Sequence, residues 1–107
     1  DIELYEVFGK FTNDNNELIY IKADKGFYSQ SSQLIELIGN VLIYDDMGNK
    51  TSTRTAVINI DSRTMNLKDD IVTVSGTSTI KSNSSVVDEK DNIIVYSGNV
   101  KVKIENK

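Results

Sequence analysis

Ile35-Glu36-Leu37-Ile38-Gly39-Asn40-Val41-Leu42-Ile43 decides the reading of this chain, because it returns 59 residues later as Ile94-Val95-Tyr96-Ser97-Gly98-Asn99-Val100-Lys101-Val102. In both copies apolar residues alternate on either side of a glycine, the period-2 signature of a strand with one buried face. Val72-Thr73-Val74-Ser75-Gly76-Thr77-Ser78-Thr79-Ile80 reads as a weaker middle copy. One strand pair cannot cover its own apolar face, whereas stacked copies build a continuous one.

A second landmark precedes each phrase. Ala23-Asp24-Lys25-Gly26-Phe27-Tyr28 matches Thr53-Arg54-Thr55-Ala56-Val57-Ile58 at an offset of 30 and Ser82-Asn83-Ser84-Ser85-Val86-Val87 at 59. Small residues (Gly26, Ala56, Ser85) thus precede large ones (Tyr28, Ile58, Val87). Two landmarks sharing one offset predict three structural repeats, the middle one stretched by about seven residues between Leu67 and Gly76.

The composition agrees. The chain has 107 residues, the size of a single domain, here spanning 1–107. It holds 13 Ile and 10 Val against 6 Leu and 2 Ala, a β-branched bias that favours pleated surfaces. There is no proline to remove a ladder donor. Only 38% of residues are hydrophobic, so the core is expected to be thin. A net charge of −4 with interspersed signs argues against nucleic acid, which needs clustered Lys and Arg. Without cysteine or histidine there are no disulfides or thiolate sites, and the usual general base is missing. No apolar run reaches the roughly 20 residues of a membrane span. The chain opens at Asp1 without a leader and reads as a soluble domain trimmed from its targeting or anchoring segment.

Residues 1–16 fit either an edge strand or a short helix, since Leu4, Val7, Phe8 and Phe11 share a helical face. Beyond them, strands are predicted at about 17–24, 34–44, 51–60, 64–68, 71–81, 84–88 and 93–104, with a bulge near Asp24-Lys25. Asp45-Asp46-Met47-Gly48-Asn49 is a hairpin turn. Lys68–Asp70 and Asp88–Asn92 read as breaks between strands.

Ala23-Asp24-Lys25-Gly26-Phe27-Tyr28, then Leu34–Leu37, then Gly39-Asn40-Val41-Leu42-Ile43 resembles A-D-x-A-x-Y followed by L-x-G-N-V-x-I. That pattern belongs to the OstA-like periplasmic proteins of lipopolysaccharide export (LptC, LptA and the amino-terminal domain of LptD). The resemblance runs from Tyr20 to Ile104, with Gly26 where alanine is usual and polar Ser78 and Thr79 after Gly76. The single short domain and the stretched middle repeat are most similar to the LptC-like members, with LptA-like second. The resemblance implies an all-β, open, twisted β-jellyroll of stacked antiparallel strands, an OstA-like trough whose apolar interior carries lipid A acyl chains. Groove-lining residues would be Ile21, Tyr28, Ile35, Leu37, Val41 and Ile43 from the first repeat. Ile58, Val72 and Val74 would come from the second, and Ile94, Tyr96, Val100 and Val102 from the third. The period-2 reading picks the same positions, although alternation alone favours a sealed sandwich core and it is the resemblance that reverses this.

By the same resemblance the partners would be lipopolysaccharide, an LptA-like module and an inner-membrane LptF/LptG-like permease, the proteins docking by edge strands. The domain would be periplasmic and tethered to the inner membrane by a segment outside this sequence. It would be non-catalytic, with no cofactor and no metal. The acidic clusters Asp45-Asp46, Asp69-Asp70 and Asp88-Glu89-Lys90-Asp91 sit in turn-like stretches and lack calcium-loop spacing. A structural or adhesive β-sandwich with a sealed core is the competing reading. A carbohydrate-binding sandwich is disfavoured because there is no Trp and the Tyr residues are not expected to cluster outward.

Overall fold

A computed structural model describes residues 2–12, 16–88 and 93–105. The described residues form a meander of eight strands: β1 (Ile2–Thr12), β2 (Leu18–Ser29), β3 (Leu34–Asp45), β4 (Lys50–Asn59), β5 (Thr64–Ser75), β6 (Ser78–Asp88), β7 (Ile93–Ser97) and β8 (Lys101–Ile104). Each strand pairs antiparallel with the next from β1 to β7, and β8 pairs with the half of β6 that β7 leaves free. Residues 1–16 therefore contribute an edge strand, not a helix, because β1 finds ladder partners along β2 from Ile2↔Tyr28 to Thr12↔Leu18.

Each strand from β2 to β6 is interrupted at mid-length, and the interruptions line up across the sheet. Register shifts fall between Lys22 and Lys25, Ile38 and Val41, Ser52 and Thr55, and Lys68 and Ile71. Bulges bend the strand that carries them, so a row of bulges creases the whole sheet. The two half-sheets then face each other: the Tyr96 hydroxyl, on one half, donates to Thr73 Oγ1, on the other, across 3.2 Å.

The crease follows a rule along the chain. On β2, β4 and β6 the buried residues flanking it are three apart: Ala23 and Gly26, Thr53 and Ala56, Ser82 and Ser85. On β3 and β5 they are four apart, Leu37 and Val41, Leu67 and Ile71. The longer step is absorbed by consecutive left-handed residues, Gly39-Asn40 (φ 86° and 47°) and Asp69-Asp70 (φ 70° and 53°). Gly98-Asn99 does the same between β7 and β8 (φ 77° and 49°). Gly, Asn and Asp tolerate this region better than other residues.

The repeat predicted from the sequence is therefore present, but its middle copy is misplaced. The true copy of Leu37…Val41 is Leu67-Lys68-Asp69-Asp70-Ile71, 30 residues on (37 to 67), and the third copy begins at Tyr96, 29 further (67 to 96). Asp69-Asp70 takes the place of the glycine dipeptide, so Lys68–Asp70 is a crease within β5 rather than a break. Gly76 lies in the β5–β6 turn, which splits the predicted 71–81 strand, and no repeat is stretched. The predicted 93–104 strand is broken at the Gly98-Asn99 crease.

Side-chain and backbone donors satisfy the carbonyls that the crease frees. Thr53 Oγ1 donates to Lys68 O at 2.7 Å, and the backbone N–H of Asn83 donates to Gly98 O at 2.9 Å. On the outer side Asn40 Nδ2 donates to Asp24 Oδ2 at 2.9 Å, and Arg54 pairs with Asp70 at 2.8 Å. Inside the crease lies the core: Ile21, Ala23, Leu37, Val41, Ala56, Met65, Leu67 and Ile71.

Candidate functional site

Between the half-sheets the interior is packed shut at the crease and hollow beyond it. A cavity of about 400 Å³ opens toward β6–β8, walled by Ile19, Ile43, Met65, Leu67, Ile80, Val87, Ile94 and Tyr96. Its rim is polar, formed by Asp45, Asn49, Lys50, Ser75 and Asp88. A second cavity, about 460 Å³, opens toward β1, walled by Phe11, Ile21, Ile35, Ile58 and Met65 with Lys10, Asn59 and Arg63 at its rim. Met65 belongs to both walls. Sites that bury small apolar ligands are typically about 300–1,000 Å³ with a few polar groups at the edge.

The rim of the first cavity is held by the β3–β4 turn. Asp45 Oδ1 accepts from the N–H groups of Met47 (2.8 Å) and Asn49 (3.0 Å), and Oδ2 from Asn49 Nδ2 (2.8 Å). Burial pushes the Asp45 carboxyl up, but the bonds from the Asn49 side chain and the two backbone N–H groups outweigh it and hold the pKa below its ordinary value. Within the cavity Thr51 Oγ1 and Thr73 Oγ1 lie 3.0 Å apart, and Thr73 in turn accepts from Tyr96.

The thirteen groove residues expected from the sequence divide into groups. Ile21, Leu37 and Val41 are buried in the core, with Ile35, Ile43, Ile58 and Tyr96 packed against it. Ile94 lines the first cavity, while Tyr28 is half-buried on β2. Val100 and Val102 continue the run past the crease and are exposed, since among the described residues no strand lies beyond β8. Val72 and Val74 are the exceptions. Their cross-strand partners are Ser52 and Lys50, whereas Thr73 between them pairs with Thr51 and faces the cavity. Strand side chains alternate, so Val72 and Val74 point outward. The misplaced middle copy is the cause. Setting Thr51 in register with Ile21 and Ile80, and Thr73 with Ile43 and Val102, would have found the inward threonines.

Two further expectations change. Phe8, Tyr20 and Tyr44 form a ladder across the outer face of β1–β3, Tyr20 stacked on Tyr44 with centroids 5.0 Å apart, so aromatic rings do gather outside. Lys22 Nζ lies over the Phe8 and Tyr44 rings at 5.9 and 5.6 Å. Asp69-Asp70 shapes the crease, and among the described residues no His, Cys, Asp and Glu group could hold a metal ion. Residues 89–92, part of the third acidic cluster, lie outside the described residues.

A creased antiparallel meander around an apolar interior, open at its ends, defines the OstA-like β-jellyroll class. The crystal structure of LptH, the LptA-homologous periplasmic component of the lipopolysaccharide transport device from Pseudomonas aeruginosa, shares the fold. Its TM-score is 0.67 over 98% of this chain and 94% of that one, at 8% identity. The model of the LptC-related lipopolysaccharide-assembly family matches residues 1–105, and this chain belongs to that family. Among curated protein sequences none matches.

Proposed function

We propose that this chain is a non-catalytic, periplasmic lipid-conduit domain that shelters lipopolysaccharide acyl chains between its half-sheets and passes them to a neighbouring module. Its partners on this reading are an LptA-like module and an LptF/LptG-like permease, with an anchor in the inner membrane. The observation that carries the reading is the cavity at the β6–β8 end, whose apolar wall continues from Ile80 to its ladder partner Val102 and on to Ile104, both exposed. Each methylene buried there contributes about 0.8 kcal/mol, so a chain of about ten carbons gains on the order of 8 kcal/mol before the cost of fixing it. Aliphatic walls bind without direction, which suits a ligand that must move on.

Ile94 and Val95 provide the test, being neighbours of similar exposure (52% and 55%) on opposite faces of β7. A photo-crosslinking residue at Ile94 is expected to capture lipopolysaccharide, and the same residue at Val95 to capture little. Equal capture at the two positions, or none at Ile94, would overturn the proposal and favour a structural β-module with a sealed interior.

A further inference from the structure

The cavity at the β6–β8 end breaks the repeat's own rule at three positions. The inward sites equivalent to Thr51 are Ile21 and Ile80; those equivalent to Thr73 are Ile43 and Val102; those equivalent to Tyr96 are Leu37 and Leu67. Each site is aliphatic in two copies and carries a hydroxyl in the third. The topology brings the three exceptions together: Thr51 on β4, Thr73 on β5 and Tyr96 on the facing half-sheet form one string, joined at 3.0 and 3.2 Å.

Two other inward hydroxyls have a backbone task. Thr53 caps Lys68 O at 2.7 Å, and Ser82 Oγ donates to Ser84 O at 3.1 Å, both at the crease. Among the described residues the string caps no carbonyl. Three hydroxyls share two hydrogen bonds, so one O–H donor is left over, together with unused lone pairs. Beside it, Ser85 pairs with Tyr96 across the β6–β7 ladder; it is 2% exposed and its Oγ has no partner. Buried polar groups are normally satisfied, so an orphan next to a hydroxyl string in an apolar wall is a feature to be explained. A hydrocarbon gains nothing from these groups, whereas an oxygen on the ligand would meet the string, whose three members all line the cavity.

We propose that the Thr51–Thr73–Tyr96 string makes this cavity select an acyl chain bearing an oxygen substituent, a hydroxyl or an ester, over an unsubstituted chain. The inference rests on the lipid-binding reading above. It also fixes the sign of the preference. In a purely aliphatic cavity an added hydroxyl weakens binding, because it loses water without a replacement. With the string present the order reverses.

The test is displacement of an apolar fluorescent probe from the whole chain by tetradecanoic acid and by 3-hydroxytetradecanoic acid. The hydroxy acid is expected to act at about three- to tenfold lower concentration, the range of one net hydrogen bond. Thr73→Val removes the hub of the string, and Tyr96→Phe removes one end while keeping the ring. Both should reverse the order and favour the plain acid over the hydroxy acid. A wild type that prefers the plain acid overturns the selectivity and leaves the lipid reading standing. A preference that survives in both variants overturns the assignment to these residues. Displacement by neither acid overturns this inference and the lipid reading together.

Discussion

The inward-facing residues Leu67 and Val102 show how differently one interior treats its two regions. Leu67 sits at the crease, 1% exposed, covered by the opposite half-sheet. Val102 also points inward, from β8, and is 61% exposed, because among the described residues β8 pairs with β6 alone and no strand covers its other edge. The same alternation of apolar residues thus yields a packed core in one place and an uncovered wall in the other. What separates them is the number of neighbouring layers, which alternation does not encode.

The largest expected effect breaks that contrast directly. Leu67→Ala should cost about 2–5 kcal/mol of unfolding free energy in urea titrations, through lost burial and an unfilled cavity. Val102→Ala should stay within about 0.5 kcal/mol. Comparable losses would mean that the β8 end is packed as tightly as the crease.

Next comes the crease itself. Gly39 has φ +86°, and a Cβ there would lie 2.8 Å from Asp24 Oδ2. Gly39→Ala should therefore cost about 1–2 kcal/mol from conformation alone, with more from the clash. Gly76 has φ +58° and open space around it, so Gly76→Ala should pay only the conformational part. Thermal unfolding of the pair separates the two contributions, and equal losses would show that the approach to Asp24 does not matter.

The smallest effect sharpens the comparison at the cavity rim. Because the folded Asp45 carboxyl has a lowered pKa, its stabilisation is present above the unfolded value near 3.9 and is lost as pH falls through the folded value. Wild type should exceed Asp45→Asn by about 1 kcal/mol from pH 5 to 8. The gap should close below about pH 4, as followed by chemical denaturation across that range. A gap that persists at pH 2–3 would assign the turn's stability to shape rather than to charge.

Much of this fold was legible because steric need writes itself into residue size. Gly26, Ala56 and Ser85 were aligned from sequence, and the structure gives the reason: a Cβ on Gly26 would meet Val7 and Leu37 at 3.1 and 3.2 Å. The crease was harder to read because several residue types can make it. Gly39-Asn40, Asp69-Asp70 and Gly98-Asn99 adopt one backbone geometry, and a search keyed on glycine passes over the aspartates and stops at Gly76. That slip turned Val72 and Val74 inward and Thr73 outward, since an odd-numbered error in phase exchanges the faces of a strand. The hollowing of the interior was not legible at all. It depends on how far the half-sheets close, which is set by the crease as a whole.

The steps of 30 and 29 residues also govern size. Each hairpin carries its own crease and its own pair of inward ribs, and neighbouring strands are spaced about 4.8 Å apart. One hairpin more or fewer would change the body's length by about 10 Å and leave both ends as they are. The architecture comes in discrete sizes, like a shelf extended by whole brackets, and a partner that recognises only an end rib has no means of counting how many stand behind it.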